Sequence, residues 1–158
     1  MDSKTDIFFN EIRTGNKKAV QQMLLEIPDL IKAQDQRGST PLVLCTYYNH
    51  IDMVDVLLDN GADINAKDAS GNTALMGVCF KGFTKIAEKL ISSGADVNTR
   101  NNMGATCLIY AVTFNNLDIA KLLLDNGADI SIKDSKGNSA LDHAKIQGSP
   151  TMIDLLEG

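Results

Sequence analysis

A 33-residue periodicity runs the length of this chain and constrains its fold more than any other feature. Gly38, Gly71, Gly104 and Gly137 recur at that interval, and so do Leu24, Leu57, Leu90, Leu123 and Leu156. A second apolar column runs through Phe9, Leu42, Leu75, Leu108 and Leu141, and a third through Met53, Ile86, Ile119 and Met152. Three registers held at one interval define about five units, spanning residues 5–37, 38–70, 71–103, 104–136 and 137–158.

Within a unit, the punctuation assigns each piece. Thr40, Thr73, Thr106 and Ser139 carry side chains able to accept from the free N–H groups of a starting helix, and Pro41 suits a first helical position. About eight residues later stands Asn16, Asn49, Gly82, Asn115 or Gly148, each able to take the left-handed conformation that ends a helix. A second short helix follows, as in 51–59 and 117–125, closed by Gly61, Gly94 or Gly127. The polar, turn-rich stretch up to the next unit reads as a loop. Helix pairs this short cannot bury their apolar faces alone, so the units must stack. The expectation is an all-α solenoid forming one domain over 1–158, with polar outer faces on its first unit (Lys17, Lys18, Gln21, Gln22) and last unit (Asp142, Lys145, Asp154).

These residues resemble the ankyrin repeat from about Asp6 to Leu156. Gly38-Ser-Thr-Pro-Leu42 looks like the family's opening motif. Gly61-Ala-Asp-Ile-Asn65, Gly94-Ala-Asp-Val-Asn98 and Gly127-Ala-Asp-Ile-Ser131 look like its signature before the hairpin loop. Val43, Met76, Ile109 and Asp142 stand where the family usually has histidine, and Ala74, Cys107 and Ala140 replace the motif proline. The first unit departs furthest, with Ile7, Phe8 and Phe9 at the motif position. The resemblance implies a scaffold for protein–protein recognition through hairpin tips and the concave face made by the first helices.

Charge and composition narrow the function classes. The net charge of −5 is carried by interspersed acids and bases, with no basic stripe for phosphates and no cationic face for a membrane, so neither nucleic acid nor lipid is an expected partner. Asp2, Lys4 and Asp6 interrupt any leading apolar run, which argues against a secretory signal. Cys45, Cys79 and Cys107 are odd in number and lack Cys-x-x-Cys spacing, as expected of free thiols in the cytoplasm.

An enzyme needs a constellation, and none is legible. His50 follows a first-helix end and reads as structural; His143 lies within the last unit's first helix and reads as packing or surface. Cys45 and Cys79 fall where the family that the chain resembles has alanine, which implies inert packing for both. Cys107, near a helix start, has no base placed beside it by the register. Asp52, Asp55, Asp118 and Asp125 read as solvating faces, and Asp35, Asp68 and Asp134, aligned with Asn101, as turn-formers rather than metal ligands. No cofactor and no metal is expected.

The aromatic residues carry more information. Of eight in the chain, six lie in or just after first helices: Tyr47, Tyr48, Phe80, Phe83, Tyr110 and Phe114. The register sets Tyr47 and Tyr48 beside Phe80 and Lys81, then Thr113 and Phe114, a stripe with hot-spot composition; Tyr110, deeper in its helix, reads as packing. The hairpin tips supply a rim: Arg37, Ser39, Lys67, Asn72, Arg100 and Met103 foremost, with Gln36, Ala69, Ser70, Asn102 and Ala105 around them. Arg37, Lys67, Lys81 and Arg100 make that side partly cationic and point to an acidic partner surface. The expected function is a non-enzymatic adaptor or inhibitor, monomeric, binding another protein. The alternatives are a small enzyme or ligand-binding protein using Cys107 or His143, and a self-associating structural repeat unit.

Overall fold

The computed structural model describes residues 3–158. Among them ten α-helices, one 3-10 turn and no strand are found. The chain divides into two compact units, with the boundary between Ala74 and Leu75.

The first unit contains α1 (Ser3–Thr14), α2 (Lys17–Glu26), a 3-10 turn (Pro28–Lys32), α3 (Pro41–Tyr47) and α4 (Ile51–Asp59). Helix α1 packs against α2 and α3, and α4 against α2 and α3. Helix α1 carries its own buried face: Phe8, Phe9 and Ile12 are fully buried, with Phe9 at the register of the motif leucine Leu42. Thr40 caps α3 as expected, accepting from Val43 N at 3.1 Å. Asn49 ends α3 with φ +65°.

The first repeat departs from the expected punctuation. The left-handed residue between α1 and α2 is Gly15, at φ +77°, not Asn16. Asn16 instead caps α2, its Oδ1 accepting from Ala19 N at 3.2 Å. Glycine adopts positive φ without steric cost, which leaves the carboxamide free for the cap, where it satisfies an otherwise orphaned N–H. The 3-10 turn is a second departure. Pro28 fixes its start, and Leu30 and Ile31 are buried where later repeats carry the Gly-Ala-Asp loop.

The second unit holds α5 (Ala74–Lys81), α6 (Thr84–Ser92), α7 (Cys107–Thr113), α8 (Leu117–Asp125), α9 (Ala140–Gln147) and α10 (Pro150–Glu157). Helix α7 packs against α8 and α9, α6 against α8, and α9 against α10. The apolar columns read from the sequence are this core: Leu75, Ile86, Leu90, Leu108, Ile119, Leu123 and Met152 are all buried. Thr106 caps α7 and Ser139 caps α9, the latter in a reciprocal box with Asp142. Gly82, Asn115 and Gly148 take the expected left-handed conformation.

Candidate functional site

Each hairpin tip is shaped by one side-chain oxygen. Asp35 Oδ1 accepts from Arg37 N and Ser39 N at 2.9 Å, and Asp68 Oδ1 from Ser70 N and Asn72 N at 2.9 Å. In the second unit, Asn101 Oδ1 accepts from Met103 N and Ala105 N, and Asp134 Oδ1 from Lys136 N and Asn138 N, all at 3.0 Å. These residues are the turn-formers that their spacing suggested. Among the described residues no cluster of three or more histidine, cysteine or acidic side chains could hold a metal.

That geometry sorts the expected rim. The second residue after the acid or amide points outward: Arg37 is exposed, and Met103 has 63% of its surface free. The fourth turns inward. Ser39 is only 8% exposed and Ala105 is buried, so both leave the rim, because their N–H groups are drawn back onto the oxygen that forms the turn. Asn72, at the same register, is half-buried. Lys67 is exposed. Arg100 is exposed but committed: its Nε donates to Gly104 O at 3.1 Å and its Nη2 to Lys133 O at 2.8 Å, clasping its own hairpin to the next. Backbone bonds join neighbouring tips, Ala69 N to Arg37 O at 3.2 Å and Ser135 N to Met103 O at 2.9 Å.

The first-helix ends carry the exposed aromatics. In the first unit Tyr47 and Tyr48 are both exposed and meet edge to face at 5.7 Å. In the second, Phe80 (46% exposed) and Phe114 (45%) meet edge to face at 4.7 Å, and Tyr110 stacks on Phe114 at 6.4 Å. Tyr110 also accepts from Asn101 Nδ2 at 2.7 Å, tying helix to hairpin base, which is the packing role foreseen for it. Lys81 is exposed with its Nζ 5.8 Å from the Phe83 ring; Thr113 is half-buried and its carbonyl accepts from Gln147 Nε2. One residue was missed. Ile146, 72% exposed, occupies the register of Tyr47, Phe80 and Thr113. The 33-residue interval marks it, but a search confined to aromatic residues passes over it.

The histidines serve the scaffold. His50 Nε2 donates to Arg13 O at 2.9 Å, and Asn116, two repeats on, makes the same bond to Cys79 O at 2.9 Å. His143 Nε2 donates to Asp134 Oδ2 at 2.8 Å, at the register of the Tyr110–Asn101 bond. Burial raises the Asp134 pKa, but the hydrogen bonds from His143 and from the amides of Asn138 and Lys136 outweigh it, so the carboxyl titrates below its ordinary range. A lowered folded-state pKa contributes stability that is present above the unfolded carboxylate value, about 4, and is lost as pH falls through the lowered one. Asp134→Asn is therefore expected to destabilise the protein at neutral pH and to converge with the wild type in acid, once the pH has fallen below the lowered carboxyl range. Urea unfolding followed by circular dichroism at neutral pH and in acid checks this; an equal deficit at both would show that the charge contributes nothing.

The thiols offer no nucleophile. All three cysteines are free and buried. Burial, with Asp52 nearby, pushes the Cys45 thiol up to about 12. Cys79 is raised by its hydrogen bond with Cys107 and then by burial, a contact between repeats that the sequence did not reveal.

A family model describing three copies of the ankyrin repeat matches residues 75–157, and a second, describing many copies, matches residues 42–91. The chain belongs to the ankyrin-repeat family. No curated protein matches it. Ankyrin repeats are in general protein–protein interaction modules, typically without catalysis, and the helical pairs and hairpins above are this family's elements. Among the described residues no helix is long and apolar enough to cross a membrane.

Proposed function

We propose that this ankyrin-repeat chain is a monomeric, cytoplasmic, non-catalytic adaptor or inhibitor that binds a protein partner through its first-helix ends and hairpin tips. The observation that carries the reading is the Phe80–Phe114 pair. Two large aromatics are packed on each other at 4.7 Å while nearly half of each faces solvent. Rigid, half-exposed aromatics of this kind are what interface hot spots are made of. Ile146 and Met103 add apolar area in the same unit, and Tyr47 and Tyr48 supply a comparable pair in the other. Lys81, Thr113, Arg37, Lys67 and Arg100 complete the contact set.

The test is capture from native lysate by the wild type and by Tyr48→Ala/Phe80→Ala/Phe114→Ala, with both proteins melted in parallel. The triple variant is expected to lose the captured protein while each half-exposed ring costs about 1 kcal/mol of stability or less. Capture of the same protein by both, or a destabilisation as large as that of a core truncation, would remove the aromatic ends from the binding surface.

A further inference from the structure

The second unit is electrically two-sided. Its first helices and hairpin tips carry Lys81, Arg100, Lys133, Lys136 and Lys145 against only Asp134 and Asp142. Its second helices and the loops after them carry three lysines against seven acids. The two acids on that side keep their charge and Lys145 Nζ lies 3.7 Å from Glu157 Oε1, but the cations still outnumber the acids there. Asp134 accepts two backbone amides on one oxygen and His143 on the other, and Asp142 closes the capping box on Ser139. Lys81, Arg100, Lys133 and Lys136 are exposed.

The cations and the aromatic pair lie on the first helices and hairpins of one unit. Asn101, at the hairpin base, bonds Tyr110; Tyr110 stacks on Phe114; and Phe114 meets Phe80, next in sequence to Lys81. The His143–Asp134 bond makes the same link between first helix and hairpin one repeat later. Apolar and positively charged side chains thus occupy the same first helices and hairpins on a chain whose total charge is negative.

We infer that the occupant of this surface is an acidic chain segment bearing aromatic or aliphatic anchor side chains: the anchors sit on Phe80 and Phe114, and the carboxylates face Lys81, Lys133 and Lys136. This deepens, and rests on, the protein-binding reading above. Charge complementarity of this kind steers encounter and excludes basic segments more than it adds affinity, so the anchors supply most of the binding.

The test is selection of a displayed random peptide library on the purified full chain. Enriched peptides are then titrated by fluorescence anisotropy against the wild type, Phe80→Ala/Phe114→Ala, and Lys81→Gln/Lys133→Gln/Lys136→Gln, with folding of each checked by circular dichroism. Enriched peptides are expected to be net acidic with aromatic or aliphatic residues. They should lose measurable binding to the phenylalanine variant and weaken roughly tenfold on the lysine variant, with a similar weakening in high salt. Peptides that need the two phenylalanines but are neutral or basic would overturn the inference and leave the binding face standing. Failure to enrich, or enrichment indifferent to the phenylalanines, would overturn both. Displacement of the peptides by an unrelated oligonucleotide would reveal a general polyanion surface and would also overturn the inference.

Discussion

Leu90→Ala is expected to lower the unfolding free energy by ~2–5 kcal/mol. Leu90 lies in α6 with no solvent exposure, in the apolar column that also contains Leu57 and Leu123, both equally buried. Truncation removes the transfer free energy of the lost carbons and leaves a cavity that flanking helices, each held by its own hairpins and caps, close only in part. Domains of this size have ~5–15 kcal/mol in all, so the loss takes a large share of the total. A repeat array is stabilised by nearest-neighbour contacts, and one weakened interface therefore loosens the repeats on either side of it. Ile146→Ala is the internal control: that side chain is largely in water, and its loss should stay within about 0.5 kcal/mol. Chemical denaturation of both variants decides the matter, and comparable midpoints would contradict the packing described for the second unit.

The second large effect concerns the backbone. Gly104 has φ +73°, and a Cβ there would stand 2.9 Å from Arg100 Nη2 and 2.9 Å from Ser135 N. The arginine end can move, though at the expense of its bond to Lys133 O; the Ser135 amide cannot, because it donates to Met103 O. Gly104→Ala therefore incurs both the left-handed penalty of an L-residue and the loss of hairpin-to-hairpin bonding, together about 2–4 kcal/mol. Gly137 separates the two contributions. It has φ +82° with nothing within 4 Å of the added carbon, so Gly137→Ala bears the conformational penalty alone, about 1 kcal/mol. Equal losses in thermal unfolding would mean that the hairpin contact at Gly104 contributes no stability.

Much of this architecture is legible because its period is tied to residue types with a physical job. The helix caps at Thr40, Thr106 and Ser139, the left-handed ends at Asn49 and Asn115 and the Asx turns all fall where spacing places them. What the sequence concealed has physical causes. Gly15 and Asn16 are adjacent and both can take positive φ; later repeats favour Asn16 by register, whereas the cheaper backbone of glycine decides otherwise. Ser39 looks like a rim residue until Asp35 is seen to draw its amide inward. Pro28–Lys32 replaces the repeated glycine motif with a turn that has no counterpart in the other repeats. The Cys79–Cys107 contact joins positions that are not one 33-residue interval apart, so the register could not report it. At the site, the interval located the helix ends and helix position set Tyr110 apart from Phe80 and Phe114, but only exposure brought in Ile146.

The hairpin tips owe their form to backbone amides gathered by a single oxygen. Arg37, Ser70, Met103 and Lys136 occupy the outward position and contribute a main-chain amide to that turn, so any L-residue compatible with the bend can replace them. On the proposed binding surface, instruction for folding and instruction for recognition are therefore written in separate letters of the same short segment. If that surface is the one used, selectivity drifts one tip at a time while the scaffold keeps its melting temperature, and a library confined to these four sites is expected to vary binding without first having to rescue the fold.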